Sequence, residues 1–405
     1  MECGERLTSQ GRCVNCEATA SLHRHKFGLP VLVLIIIAGF SFTRIVVDWF
    51  NNREGELASA WNQRGVAALN AHHPEAAVED FETALLYARQ NDDEYGIRLS
   101  ESLLAAGRPN EARSRLLNLL DDHPTDATVN LELARIAATR GELQDAIRYY
   151  HGAIEGIWGP GRSSVAERLN TRFELLEVLA ANHRDNAAEA ELAQLLPELP
   201  PRANAHARLG YIYFKLGDAR RALAEFQEAR QLDRNFAPAY AGSGAVALES
   251  GEYAAAKRYL TEAVRLDAED ANSRSLLNRA EQLLAVDPFS PRVNAAERAR
   301  RTVAAYEAAV KRLGDCAVAR TNDSQSRKPS PETSPDGDKL GQLQSWAEQL
   351  RRYATEVRLK GRDDVVENMM RFVFATEDAT AKVCGAPNGV DELLATIGRR
   401  RWGTQ

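Results

Sequence analysis

The residues able to do chemistry are few and unevenly placed. Cys3, Cys13 and Cys16 stand at the amino terminus, Cys316 and Cys384 lie far behind them, and no cysteine occurs in between. The stretch Cys13-Val14-Asn15-Cys16 is followed by His23 and His25, so thiols and imidazoles of the kind that hold zinc share one short segment. A lone Cys-x-x-Cys is a weak signal for a metal. The other histidines are dispersed: His72-His73 precede Pro74, His123 precedes Pro124, and His151, His183 and His206 fall in separate helical patterns. Catalysis needs a nucleophile, base or metal held in one place. No His-Glu-x-x-His, phosphate-cradling Gly-x-x-x-x-Gly-Lys-Ser/Thr or Gly-x-Ser-x-Gly is present. The glycine-rich stretch at 156–164 joins two helical patterns and reads as a loop. The chain therefore reads as a binding protein rather than an enzyme.

Residues 1–16, MECGERLTSQGRCVNC, resemble a small zinc ribbon whose first knuckle has lost one cysteine. The resemblance implies one zinc ion held by Cys3, Cys13 and Cys16, with His23 or His25 as the fourth ligand, in a head (residues 1–26) too short to build a core of its own. The alternative is a solvated tail with incidental thiols.

Directly behind this head, residues 27–43 carry no charge and include Val31-Leu32-Val33-Leu34-Ile35-Ile36-Ile37. At the helical rise they cover ~26 Å, slightly less than a hydrocarbon core of ~30 Å. Extension past Arg44, which can snorkel, to Trp49 at the interface gives a transmembrane helix over 27–50. A cleaved signal peptide fits less well, because the leader is long and no Ala-x-Ala-like site follows. A buried core helix fits less well too, because apolar residues surround the whole helix. The basic residues Arg24 and Lys26 abut the span, and amino-terminal thiols suit a reducing compartment. Arg44, Arg53 and Arg64 follow on the other side, so the count of basic residues is close to a tie; the tighter cluster and the thiols favour a cytosolic amino terminus with the remainder outside, as in a bacterial inner-membrane protein.

The elements behind the span are helical. Apolar residues make up 44 % of the chain and charged residues 27 %, with 51 Lys+Arg against 57 Asp+Glu for a net charge of -6, which argues against a nucleic-acid binder. No run of β-branched residues at period two follows the span, so the body is expected to be all-α. A 34-residue period is visible: ANAHARLGYIYFKLGDARRALAEFQEARQLDRNF (203–236) is followed at once by APAYAGSGAVALESGEYAAAKRYLTEAVRLDAED (237–270).

These segments resemble tetratricopeptide repeats, helix-turn-helix units that stack into a right-handed superhelix. The family's small residue at position 8 is met by Gly210 and Gly244, the small residue at 20 by Ala222 and Ala256, and the bulky residue at 24 by Phe226 and Leu260. Gly217 and Gly251 turn the chain between helices. The register extends back through units at 58–91, 93–126, 127–160 and 169–202, the last after an insertion at 161–168 and with Leu176 where a small residue is expected. Six repeats and a capping helix at 271–286 thus span 58–286. The resemblance implies a groove lined by first-helix side chains that holds a protein or peptide. The positions that face it include Asn62, Val66, Arg135, Phe173, Glu177 and Asn204, with Tyr211, Phe214 and Lys215 as the main patch. Packing of Tyr211 and Phe214 between repeats is the competing reading. The Lys/Asn pattern that clamps a terminal carboxylate in some co-chaperone repeats is absent.

Asp287-Pro288-Phe289-Ser290-Pro291 ends the array, and a helical bundle over 293–400 follows. Its stripes are Ala299, Val303, Tyr306, Val310 and Leu313; then Leu343, Trp346, Leu350, Tyr353 and Val357; then Val366, Met369, Met370 and Val373. Residues 321–338, without large apolar side chains, read as a disordered loop. Cys316 and Cys384 close the first and third helices; if these run parallel a disulfide is possible, and otherwise they are two unrelated thiols. The expectation is a membrane-anchored scaffold, an assembly or adaptor factor of the cell envelope that can also self-associate. Two alternatives remain: a metal- or redox-responsive regulator using the amino-terminal cysteines, and an enzyme whose site lies in the bundle.

Overall fold

The computed structural model describes residues 14–88, 92–159, 163–291, 293–326 and 335–403. Among them the chain is all-α, with a single parallel bridge between Asp126 and Ile157 and no strand. It forms two compact units, Met1–Arg172 and Phe173–Gln405.

In the first unit α1 (Val14–Asn70) packs on α2 (Pro74–Tyr87), α3 (Asp92–Ala105) on α4 (Pro109–Asp122), and α5 (Ala127–Thr139) on α6 (Leu143–Glu155). Helix α7 (Ser164–Ala181) begins there and ends in the second unit, where α8 (Asp185–Leu195) follows. Next come the pairs α9 (Ala203–Lys215) with α10 (Ala219–Leu232) and α11 (Ala237–Glu249) with α12 (Tyr253–Leu266), then α13 (Ala271–Val286).

Helix pairs of this kind approach closely only where side-chain volumes are complementary. Pairs of positions 16 residues apart supply that complementarity: Gly65 faces Phe81, and Gly210 and Gly244 face Phe226 and Leu260, each so near that a Cβ on the glycine would overlap the larger side chain. In the other repeats the pairs in register are Ser100 with Leu116, Ala134 with Tyr150, and Leu176 with Leu192, all buried. In the fourth repeat both positions, 176 and 192, carry leucine, and both are fully buried.

Between the paired helices the chain reverses through a left-handed residue. Gly107, Gly141, Gly217 and Gly251 take φ of +73 to +79° there, and His72 (58°) and His183 (53°) hold the same position in the first and fourth repeats. Glycine adopts this conformation without a Cβ penalty. The two histidines are thus turn residues.

The bundle contains α14 (Ala295–Ser326), α15 (Pro335–Arg351), the one-turn α16 (Glu356–Leu359), α17 (Asp363–Cys384) and α18 (Gly389–Trp402). Its core gathers Tyr306, Leu313, Leu343, Leu350, Met369, Met370, Phe372 and Val373. The Tyr306 hydroxyl donates to the Ala347 carbonyl at 2.8 Å. Helices α14 and α17 run parallel, with Arg298 on Asp363 at one end and Cys316 bonded to Cys384 at the other, their Cα atoms 5.8 Å apart.

Several expectations from sequence are corrected here. Helix α1 does not stop at residue 50 but continues into the first helix of the first repeat. Cys316 is interior to α14, which extends to Ser326, and α15 starts at Pro335, so the expected loop over 321–338 is helical on both flanks. Residues 327–334 lie outside the described residues. Val357 is 87 % exposed and belongs to no stripe, because α15 ends at Arg351 and the chain turns before it. Helix α18 was not expected. It packs Leu393 and Ile397 against Tyr253 and Leu283, so the segment at 287–291 lies within the second unit rather than between two bodies.

Two turns before Cys384 on α17, Glu377 is fully buried, with Arg312 Nε 3.0 Å from its carboxylate. The same guanidinium donates to Thr380 Oγ1 and the Gly385 carbonyl and lies 3.5 Å from Asp391. Burial first, and Asp391 second, push the Glu377 carboxyl up to about 8 against the pull of Arg312. Between the ordinary carboxylate range and pH 8 the folded protein therefore keeps a proton that the unfolded chain has lost. Stability should fall as pH rises across that window, by roughly 1 kcal/mol per pH unit, and level off above it. Urea midpoints measured from pH 5 to 9 on the native chain and on Glu377→Gln should diverge with that slope; parallel curves would reject it.

Candidate partner-binding surface

In a two-helix repeat the second helix packs both within its own repeat and on the next, which leaves the outer stripe of the first helix free to meet a partner. The expected residues divide between the units. Asn62 on α1 is half-buried, and Arg135 on α5 is exposed and donates to Glu132 Oε1 at 2.7 Å. Tyr211, Phe214 and Lys215 lie on α9 of the second unit.

These three differ in what they face. Tyr211 is turned inward: its ring meets Phe226 of its own repeat edge-on at 4.9 Å, and its hydroxyl donates to the Pro238 carbonyl of the next repeat at 3.1 Å. Burial pushes its hydroxyl pKa up to about 12, so it stays a neutral donor. Phe214 is half-buried and Lys215 is exposed. The outward part of the patch is therefore Phe214 with Lys215, and Tyr211 is a tie between repeats. Val66 is half-buried and Asn204 is exposed in the first turn of α9, whereas Phe173 is fully buried beneath the Arg208 guanidinium at 4.8 Å.

A set of cations that sequence reasoning missed crosses the repeat boundaries. Arg208 on α9 donates to Glu177 on α7 at 2.6 Å. Arg221 on α10 reaches Glu189 on α8 at 2.5 Å while stacking on Tyr213 at 4.5 Å. Its hydrogen bonds hold the Glu189 carboxyl below the usual range. Arg230 on α10 donates to the buried Ser243 on α11 and lies over the Tyr259 ring of α12. The partly exposed ion pairs contribute little singly. Arg221 meets Glu189 through both terminal nitrogens while stacked on Tyr213, the planar geometry in which a guanidinium orients its partners best. These cations fall outside the small and bulky positions that define the period, which is why the period did not reveal them.

Of the expected metal ligands, Cys3 and Cys13 lie outside the described residues. Cys16, His23 and His25 fall on α1. Among the described residues no group of three or more His, Cys, Asp or Glu could hold a metal ion.

Residues 97–159, 203–236 and 237–270 match models of the tetratricopeptide repeat, the last two with the boundaries of the sequence period. No curated protein matches the chain. Similar solved structures include PilW, a widely conserved type IV pilus biogenesis factor (15 % identity, 54 % of this chain and 98 % of that one, TM-score 0.45). Pseudomonas aeruginosa pilF aligns at 15 % identity over 56 % of this chain and 98 % of its own, TM-score 0.42. A thermophilic TPR protein of Thermus thermophilus aligns at 22 % identity over 47 % of this chain and 98 % of its own, TM-score 0.35.

Proposed function

We propose, from the premise that the chain carries tetratricopeptide repeats, that it is a membrane-anchored scaffold of the cell envelope that holds a protein or peptide on the first-helix faces of its repeats. The observation that carries this reading is the form of α1. Its apolar segment, from Leu32 through Phe40 and Ile45 to Trp49, exposes every large side chain, with none of it buried inside the protein. The helix is long and apolar enough to cross a membrane, and it runs on without a break into the first repeat. Such a surface is costly in water and stable in a bilayer. A continuous helix also fixes the array close to the membrane it would serve. The bonded Cys316 and Cys384 suit an oxidising compartment, consistent with a cytosolic amino terminus and repeats outside.

Two measurements test it. The full chain with a tag after Gln405 should sediment with membranes and resist carbonate extraction, and deletion of residues 27–50 should release it. The tag should be lost when intact spheroplasts are treated with protease; a tag protected until lysis would reverse the orientation. For the surface, Phe214→Ala with Lys215→Ala should reduce partner recovery in crosslinking by about tenfold, at unchanged helicity. Recovery undiminished in that variant would remove α9 from the binding face.

A further inference from the structure

A cavity of about 1200 Å³ opens in the second unit where the last repeat meets the bundle. It is larger than the ~300–1000 Å³ of an ordinary small-molecule site. Helix α13 lines it with Leu284, and four further elements converge on it. Helix α12 starts there after the Gly251 turn, the segment at 287–291 crosses it, α14 contributes Arg301, and α18 ends there with three arginines in its last turn. Cations at a helix carboxy terminus are favoured by the helix dipole.

The charge of this cavity is opposite to that of the chain. Lys257, Arg258, Arg301, Arg400 and Arg401 line it, against Glu252 and Asp287. Three of the cations already have partners: Lys257 pairs with Glu281, Arg400 with Glu249, and Arg301 with Glu297 while also donating to the Leu284 and Asp287 carbonyls. Arg258 is exposed and has no ion pair among the described residues. Arg401 lies with its guanidinium 3.8 Å from the Phe289 ring centroid and also has no ion pair among them. Stacking occupies the face of a guanidinium and leaves its in-plane N–H donors open to a carboxylate. Asp287, on the cavity lining, is 8 % exposed and accepts from the Phe289 amide; burial raises its pKa, against the pull of Arg401 and Arg301. The remaining floor is apolar, from Leu284, Phe289 and Ile397.

We propose that this cavity is a second docking site, separate from the first-helix faces, for an acidic peptide segment of a partner protein. An extended peptide fits the combination of room, apolar floor and two unpaired guanidinium groups. A nucleic acid would instead need a continuous basic face, and here Glu252 and Asp287 interrupt the cations. The set of side chains, dominated by permanent cations, suits capture of an anion rather than acid-base chemistry.

The test uses the full chain in detergent and fluorescein-labelled octaglutamate, followed by anisotropy, with octalysine as the control. Octaglutamate should saturate and octalysine should not, and affinity should fall steeply between about 50 and 300 mM salt. Arg258→Glu, on an exposed turn of α12, should weaken octaglutamate by about tenfold or more. Lys311→Glu, on the exposed face of α14 and outside the cavity lining, should leave it unchanged. Loss with Lys215→Glu and not with Arg258→Glu would move acidic ligands to the α9 face and overturn the cavity assignment while leaving the scaffold reading intact. Failure to saturate, or displacement by millimolar inorganic phosphate as complete as by unlabelled octaglutamate, would overturn the peptide assignment.

Discussion

Phe226→Ala is expected to destabilise the second unit by about 3–5 kcal/mol, and to reverse the sign of a second substitution, Gly242→Ala. The Phe226 ring is fully buried between two helices that each present a glycine. A Cβ added at Gly210 would lie 2.8 Å from the ring, and one at Gly242 only 2.3 Å. In the native chain Gly242→Ala must displace the ring, at a cost of about 1–3 kcal/mol, although alanine is a better helix former by ~1 kcal/mol. With the ring removed, the new methyl enters empty space and the helix-propensity gain remains. A four-member urea cycle of native, single and double variants should therefore show Gly242→Ala destabilising in the first background and stabilising in the second. The same sign in both would mean that the ring and Gly242 are not coupled. Because Phe226 also meets Tyr211 edge-on, the cavity would loosen the tie between the last two repeats.

Serine at both Cys316 and Cys384 should lower the stability of the bundle by about 4 kcal/mol, as loop closure predicts for cysteines 68 residues apart. That loop contains the end of α14, all of α15 and α16, and α17. Without the bond, the parallel pairing of α14 and α17 rests at this end on the half-buried Arg312 and the buried Glu377. The double variant should keep its helicity at low temperature and lose its near-ultraviolet signal at a lower urea concentration than the native chain. A difference below about 1 kcal/mol would assign the clamp to the core instead. Non-reducing mobility of the protein taken directly from cells provides an independent reading, since a bonded pair is expected only if the bundle folds in an oxidising compartment.

The repeat architecture was legible in the sequence because repeat contacts are local. A bulky side chain at one position meets a small one 16 residues earlier, so Gly65 with Phe81, Gly210 with Phe226 and Gly244 with Leu260 are written into the period. The all-α class, the apolar segment before the array and the turns at Gly217 and Gly251 follow from equally short-range properties: helical spacing, hydropathy and backbone freedom. Direction was less legible. Tyr211 and Phe214 are three residues apart on one helix, yet the former is tied to Pro238 of the following repeat and only the latter remains with Lys215 on the outer stripe.

Only the tertiary structure decided what lies outside the period. That α1 joins the apolar segment to the first repeat without a break could not be read from composition, since a helix boundary leaves a weak trace where both sides favour helix. Helix α18 takes its place by burying Leu393 and Ile397 against Tyr253 and Leu283, residues more than a hundred positions away. Arg258, Arg301 and Arg401 come from three helices with no fixed spacing between them, and in sequence each reads as an ordinary surface charge. A helical period encodes which face of an element is buried. Which distant element covers that face, and which charges it gathers around an open space, depends on packing that no local pattern records.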